Sequence, residues 1–308
     1  MVNSTDIRKR VVVCIPTYRR PTELCRLLKA LSQQDLPREC EVRIVVVDNE
    51  GSLLTREICD ECRRGLLVPL TYVAENRRGL AHVRNRAVEV SKQFGEFLVF
   101  IDDDEVPMGQ WLKHLVSCQE DSGADAVSGP VVPRFMSDVP EWIRVGRFFD
   151  REQYPTGTYL KESRTGNTLL KLSVFERIGG FDEQFTLTGG EDTDWFSRLH
   201  QSGGRIVWCN EAVVEEWVPA QRTRLKWLLA RAYRAGTTAF LLSGHEGRAR
   251  TIVRGVLRVC KGVYAVIASA AKGKPQAVRG MQKILNGAGL IAGAVGLRYE
   301  EYGTTHPV

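Results

Sequence analysis

Four consecutive acids, Asp102-Asp103-Asp104-Glu105, follow directly on the apolar run Phe97–Ile101. Carboxylates this close repel one another, so a divalent cation or solvent must offset the charge. Oxygen-only ligands at the end of a strand suit Mg²⁺ or Mn²⁺. A solvated acidic turn is the alternative that this stretch alone leaves open. A second group of acids lies in Gly189-Gly190-Glu191-Asp192-Thr193-Asp194-Trp195. A helix beginning near Glu191 puts Trp195, Phe196 and Leu199 on its apolar face. Asp192, three, four and seven residues before them, falls on the same side. Asp194 instead faces Arg198 at i+4, as a solvated structural pair. Asp192 is thus an inward acid at a helix N-terminus, which keeps a carboxylate ionised, as a base must be. A capping role is its other reading.

The elements that must position these acids read as alternating strands and helices. Val11–Pro16, Val42–Val47, Leu70–Val73 and Phe97–Ile101 read as predominantly apolar strands, interrupted only by Arg43 and Thr71. Pro21 with Leu24, Leu27, Leu28 and Leu31 marks a first helix; Ser52–Arg64 and Leu80–Phe94 supply two more. This pattern predicts an α/β fold with a mostly parallel sheet covered on both faces. Such sheets bind ligands beyond the carboxyl ends of their strands, where Thr17, Tyr18, Asp48, Asn76 and Asp102–Asp104 collect. Tyr18 could stack on a base and Asp48 could accept from a base or ribose, although an Asp closing a strand is commonly a turn former. No Gly-x-Gly-x-x-Gly follows the first strand and there is no Walker A sequence, so nucleotide binding would rest on side chains and a metal. Later come short strands at Ala124–Ser128 and Val131–Val132, an aromatic-rich loop over residues 134–165, and a short helix at Ser173–Ile178.

The totals narrow the classes. The chain has 308 residues, 43% hydrophobic and 26% charged, as in folded soluble proteins. Its net +6 is unevenly spread: residues 221–300 hold fifteen Lys and Arg against two acids, leaving residues 1–220 net negative. A basic tail on an acidic body points to an anionic surface. Eight cysteines include one close pair, Cys59 and Cys62, without the second pair a zinc site needs. No secretory signal is expected, because Met1–Arg10 is polar and Val11–Ile15 too short; reduced cysteines in a cytoplasmic setting follow.

Val13-Cys14-Ile15-Pro16-Thr17-Tyr18-Arg19-Arg20, the strand ending at Asp48, Asn76-Arg77-Arg78-Gly79-Leu80-Ala81 with Arg84-Asn85, Asp102–Asp104, Gly179-Gly180-Phe181-Asp182 and Gly190-Glu191-Asp192 occur in that order. Together they resemble the family 2 glycosyltransferases, inverting enzymes with the GT-A nucleotide-binding fold, over about residues 10–240. Among these the bacterial exopolysaccharide glucosyltransferases of succinoglycan type are the nearest. The resemblance implies a UDP-sugar donor, a polyprenyl-diphosphate-linked oligosaccharide acceptor and Mn²⁺ or Mg²⁺. It implies nucleotide-sugar contacts from Pro16, Thr17, Tyr18, Arg19, Asp48, Asn76, Arg84, Asp102, Asp103 and Arg222, the last in a mobile loop. Asp192 would be the catalytic base, with Glu191, Trp195 and Asn167 toward the acceptor. Asp102 and Asp104 would hold the cation. Many relatives place a His before the Pro that matches Pro219; here Glu215-Glu216-Trp217 stands there, and Glu216 is the candidate third ligand. One base suffices for transfer, because a diphosphate leaves without an acid. A sugar nucleotidyltransferase is the enzymatic alternative, but its Gly-rich basic loop is missing. A non-catalytic membrane scaffold with a degenerate nucleotide site is the other. Nucleic acid is an unsuitable partner, since the aromatics form no stacking platform and the acids repel phosphate.

The expected layout is a GT-A domain over 8–220, with a nucleotide-sugar half at 8–125 and an acceptor half at 126–220, then a basic helical region at 221–308. In the latter, Leu225, Leu228, Leu229 and Ala232 form an apolar stripe among Arg222, Arg224, Lys226, Arg231 and Arg234, beside Trp227. That composition suits a helix lying in a membrane interface. Two apolar patches, Gly262–Ala271 and Ile284–Leu297, fall short of the roughly 18–20 residues that span a bilayer. Peripheral or monotopic attachment to the anionic cytoplasmic leaflet of the inner membrane is therefore expected, with packing of these helices on the core as the alternative.

Overall fold

In a computed structural model, residues 8–243, 247–269, 273–297 and 299 are described. The ends of the chain, and residues 270 and 271 of one apolar patch, lie outside them. The described residues form two compact units. The first holds the chain up to Val132, Arg151–Thr186 and Glu191–Glu216; the second holds Pro133–Asp150, Leu187–Gly190 and the chain from Trp217 on.

The first unit is built on β1 (Lys9–Thr17), β2 (Cys40–Asp48), β3 (Leu70–Ala74) and β4 (Phe97–Phe100), all parallel where they pair. β6 (Ala126–Ser128), β8 (Tyr159–Leu160), β9 (Thr168–Lys171) and β10 (Ile206–Trp208) complete an eight-stranded sheet in the order β3-β2-β1-β4-β9-β6-β10-β8. β9 runs antiparallel to both β4 and β6. Alternate residues of β1 serve opposite faces. Val11, Val13 and Ile15 pack with α1 (Pro21–Leu31), α2 (Leu53–Arg63) and α4 (Trp111–Ser122). Val12 and Cys14 pack with α3 (Leu80–Ser91) and α7 (Glu191–Gln201). Burial on both faces explains the unbroken apolar stretches Val11–Pro16 of β1 and Ile44–Val47 of β2.

Register then sets the site. β1 and β4 pair with Val11 opposite Phe97 and Cys14 opposite Phe100. Continued past the last pair, that offset brings Thr17 to Asp103, and β2 puts Asp48 opposite Thr17. A separate antiparallel pairing joins β5 (Glu105–Pro107) to β11 (Val214–Val218), with Glu216 opposite Glu105. The glycine of the Arg-Gly-Leu segment is fixed by packing: Gly79 has φ 117°, and a Cβ there would lie 2.0 Å from Thr186 Cγ2. Gly79→Ala is expected to cost about 2 kcal/mol or more of stability, measured by denaturant unfolding.

The second unit contains α5 (Glu141–Gly146), a helix inside the aromatic segment that lacked clear periodicity, and α8 (Leu225–Leu242), α9 (Arg248–Ala268) and α10 (Lys274–Ala294). Glycines let α10 approach its neighbours: a Cβ on Gly289 would fall 2.1 Å from the Tyr233 carbonyl, and one on Gly262 would fall 2.8 Å from that of Gly280. The stripe on α8 departs from expectation. Leu228 is 1% exposed and packs with Val139, Ile143, Phe149 and Val218, so that part of the stripe faces protein, not lipid. Among the described residues no helix is long and apolar enough to cross a membrane.

Candidate active site

β4 ends in a carboxylate-rich turn whose members have separate surroundings. Asp103 is buried; its Oδ2 accepts from Thr17 Oγ1 at 2.9 Å and its Oδ1 from Arg20 Nη1 at 2.8 Å. Burial pushes its carboxyl up to about 6, against the opposing pull of Arg20. The same Arg20 nitrogen lies 3.0 Å from Asp104 Oδ2. Glu105 turns inward and is buried, accepting the Asp102 N–H at 3.0 Å. Its burial, with Asp102 close by, holds its carboxyl well above the usual range. Asp102 alone keeps much of its side chain, 40%, accessible. Burial raises its carboxyl while Arg84 lowers it.

Two more strands of charge meet there. Glu216 stands opposite Glu105 on β11, a like-charge pair that would be unfavourable alone. Arg151 Nη2 binds Glu216 Oε2 at 2.7 Å and offsets it. Burial by itself would lower Arg151, but Glu216, Glu105 and Asp102 outweigh it and raise it. On the other side Arg84 Nη1 pairs with Glu191 while its Nη2 lies 3.8 Å from Asp102 Oδ1. This guanidinium links the first turn of α7 to the end of β4.

Asp192 is the next residue of α7 and is half-exposed. Its Oδ1 accepts the Thr193 N–H at 2.7 Å and Thr193 Oγ1 at 3.3 Å. Glu191 is the fully buried acid of the pair, at 1% exposure, with Oε2 unpartnered. Asp194 binds Arg198 Nε at 2.8 Å, as its spacing predicts. Burial pushes Glu191 up to about 7, with Arg84 opposing. The folded chain therefore holds a proton that the unfolded chain, at 4.5, has released. That contribution is complete below pH 4.5 and is lost as pH rises through about 7. Wild type should accordingly lose stability relative to Glu191→Gln across that window; a pH-independent difference in denaturation midpoints would contradict it.

The other expected site residues divide. Pro16 and Thr17 are buried at the end of β1, and Tyr18 follows, half-exposed, with the guanidiniums of Arg19 and Arg78 at 5.1 and 5.7 Å from its ring. Arg19 takes a positive φ of 54° and pairs with Glu50 at 2.6 Å. Asp48 is fully buried, and both its oxygens are engaged: Oδ1 by the Glu50 N–H, Oδ2 by the Ser52 N–H and Tyr72 hydroxyl. These bonds are those of a turn former. Asn76 is exposed just beyond β3. Asn167 is buried with φ 62°, and its amide is used by Trp111, Pro130 and Ala212. Trp195 is also fully buried, stacked 4.7 Å from Phe175 with Nε1 donating to the Gly179 carbonyl. Both serve the core, which leaves them no surface for an acceptor sugar. Arg222 belongs to the second unit, in the turn before α8, 5.9 Å from the Trp227 ring. Arg20 and Arg151 are the site residues that sequence reasoning missed. Arg20, next to Thr17-Tyr18-Arg19, carried a signal in its position; Arg151, alone in an irregular segment, carried none.

Six carboxylates (Asp102, Asp103, Asp104, Glu105, Glu191 and Glu216) thus share three guanidiniums, Arg20, Arg84 and Arg151. The excess of hard oxygen donors around an accessible Asp102 fits a divalent cation. Among the described residues no three acidic, His or Cys side chains converge as a closed metal cage. Mg²⁺-type sites need none, since one or two carboxylates plus substrate phosphates suffice.

Residues 12–180 match the family described as glycosyl transferase family 2, and residues 150–215 match the N-terminal domain of galactosyltransferase. The chain is 33% identical over 294 residues to the succinoglycan biosynthesis protein ExoM of Rhizobium meliloti (strain 1021), covering 93% of this chain and 94% of that protein. It is 27% identical over 180 residues to a glucosyl-dolichyl phosphate glucuronosyltransferase of Haloferax volcanii, covering 53% of this chain and 55% of the relative. Its fold resembles that of the mannosyltransferase PcManGT from Pyrobaculum calidifontis, solved with GDP-Man and Mn²⁺, at a TM-score of 0.60 and 23% identity over 94% of this chain and 87% of that one.

Proposed function

The chain belongs to glycosyltransferase family 2, and from that premise we propose that it moves a hexose, glucose in the first instance, from a UDP-sugar to a hydroxyl of a polyprenyl-diphosphate-linked oligosaccharide, with inversion. The observation that carries this reading is the Glu191–Arg84–Asp102 link, which ties the first turn of α7 to the carboxylates ending β4. Asp192 stands in that turn, half-exposed, where an acceptor can reach it. It takes the proton of the acceptor hydroxyl as the new carbon–oxygen bond forms at the anomeric carbon. The anomeric carbon–phosphate oxygen bond breaks, and the diphosphate leaves with the bonding pair. A divalent cation held by Asp102 and Asp104, with Glu216 as a further candidate, would neutralise charge on that diphosphate. Thr17, Tyr18 and Asp48 stand at the carboxyl ends of β1 and β2, and the half-exposed Tyr18 ring is the candidate to stack on the base. Arg84 orients Asp102.

Exopolysaccharide assembly is supported by the succinoglycan biosynthesis relative, and a lipid-linked substrate by the glucosyl-dolichyl phosphate one. The enzyme would then work at the cytoplasmic face of the inner membrane, peripherally attached. Release of nucleoside diphosphate from a panel of UDP- and GDP-sugars, with and without Mn²⁺, tests the proposal. Metal-stimulated release of UDP from UDP-glucose is expected; release from GDP-sugars alone would overturn the donor assignment.

A further inference from the structure

α9 is turned inside out relative to an ordinary amphipathic helix. The fully buried positions of its inner face are small: Thr251, Gly255 and Gly262 are buried, with Gly255 against Gly287 and Gly262 against Gly280 of α10. Val259 and Val266 reach in against the α10 glycines, and most of the other large apolar residues of the helix are exposed. Val253, Val256, Leu257, Val263, Tyr264 and Ile267 are all exposed, Tyr264 by 75% and Ile267 by 70%, and Cys260 lies among them. Their spacing of three and four residues makes one continuous stripe over four turns. Arg250, Arg254, Arg258 and Lys261 follow the same spacing along one flank of it. Neither α9 nor α10 contains an acid. An open groove of about 700 Å³ adjoins the stripe, and Lys261 of α9 with Arg279 and Lys283 of α10 line it beside Tyr264.

Solvent-exposed apolar stripes of this length are costly unless something covers them. The flanking charge identifies the cover. We propose that the α9 stripe lies in the headgroup region of an anionic phospholipid leaflet, and that the α9–α10 groove seats a lipid phosphate on Lys261, Arg279 and Lys283. This rests on the reading of the protein as membrane-attached and assigns the attachment to α9, not to the α8 stripe. Depth matches the residue types: Tyr264 is an interfacial side chain, and Val and Ile enter the acyl boundary. Each basic side chain near such a surface adds to binding.

Flotation of the full chain with phosphatidylglycerol/phosphatidylcholine vesicles, against phosphatidylcholine alone, tests this without any glycosyl transfer. UDP release measured in parallel reports failure of the enzymatic reading separately. Binding to the anionic vesicles is expected, falling about thirtyfold in the Lys261→Glu/Lys283→Glu variant and at least about tenfold in Tyr264→Asp/Ile267→Asp. Lys92→Glu, in the first unit, should bind as wild type. A polarity-sensitive dye on Cys260, blanked with Cys260→Ser, should shift blue on anionic vesicles and needs no stripe variant. Wild-type binding by the Tyr264→Asp/Ile267→Asp protein, or an unshifted dye on bound protein, would overturn the proposal. So would a dimer in sedimentation that Tyr264→Asp dissociates while vesicle binding stays intact, since the stripe would then cover a second copy.

Discussion

Asp192→Asn is expected to lower turnover about a thousandfold or more while leaving UDP-sugar affinity within about twofold of wild type. Few of its effects should be structural. Asp192 is half-exposed, and its described hydrogen bonds go to Thr193, which an Asn carbonyl oxygen can still accept. What Asn cannot do is accept a proton. The adjacent Glu191 offers no rescue, because it is buried and committed to Arg84, and burial favours its neutral form. Donor titration by calorimetry, beside UDP release with acceptor present, separates the two effects. A variant that kept a tenth of wild-type turnover would remove Asp192 from the chemistry. A variant that lost donor affinity in proportion to turnover would place it at the nucleotide instead.

The contrast between Glu191 and Asp192 shows where sequence reasoning stops. Apolar runs such as Val11–Ile15 and Ile44–Val47 are legible as parallel strands because burial on both faces leaves no polar alternation. From their ends the location of the site follows, and the acids at 102–104 are found there. Helix phase is coarser. The spacing puts Asp192 on the inward face, but Asp192 is half-exposed and the deeply buried acid is its neighbour Glu191, about 100° away around the helix. Trp195 and Asn167 misled differently. An aromatic and an amide beside catalytic motifs look like sugar contacts, yet the indole stacks on Phe175 and the amide satisfies backbone carbonyls in the core. Nothing local distinguishes these uses. β9 was invisible because Thr168–Lys171 is four residues long and finds its place only between β4 and β6. In the tail, apolar patterning normally marks the buried face, and α9 reverses that rule because its glycines allow the closer packing.

Asp104→Ala should weaken UDP-sugar binding in Mn²⁺ about a hundredfold and abolish the difference between Mn²⁺ and EDTA, whereas Asp103→Asn should keep the metal response. The argument turns on what each carboxylate would give up to reach a ligand. Asp103 is 5% exposed and bridges Thr17 and Arg20, so turning outward would break both bonds and strand the Thr17 hydroxyl. Its loss should appear as a lower unfolding midpoint, because a buried hydrogen-bonded acid is costly to disturb. Asp104 is the other partner of the same Arg20 nitrogen, at 3.0 Å, and that guanidinium is one-third exposed. A cation bound at Asp104 and Asp102 replaces one positive charge by two without unsatisfying Arg20, which stays on Asp103. On the proposed metal site, Arg20 would stand in for part of the cation's charge while the site is empty. Arg20→Ala should raise Mn²⁺ affinity while lowering stability, and Asp104→Ala should do neither. Equal metal responses in the Asp103 and Asp104 variants would sink this division of roles. The same measurements then bear on Glu216: its pairing with Arg151 at 2.7 Å makes it a weaker ligand candidate than Asp102, and Glu216→Gln should cost less Mn²⁺ affinity than Asp102→Asn.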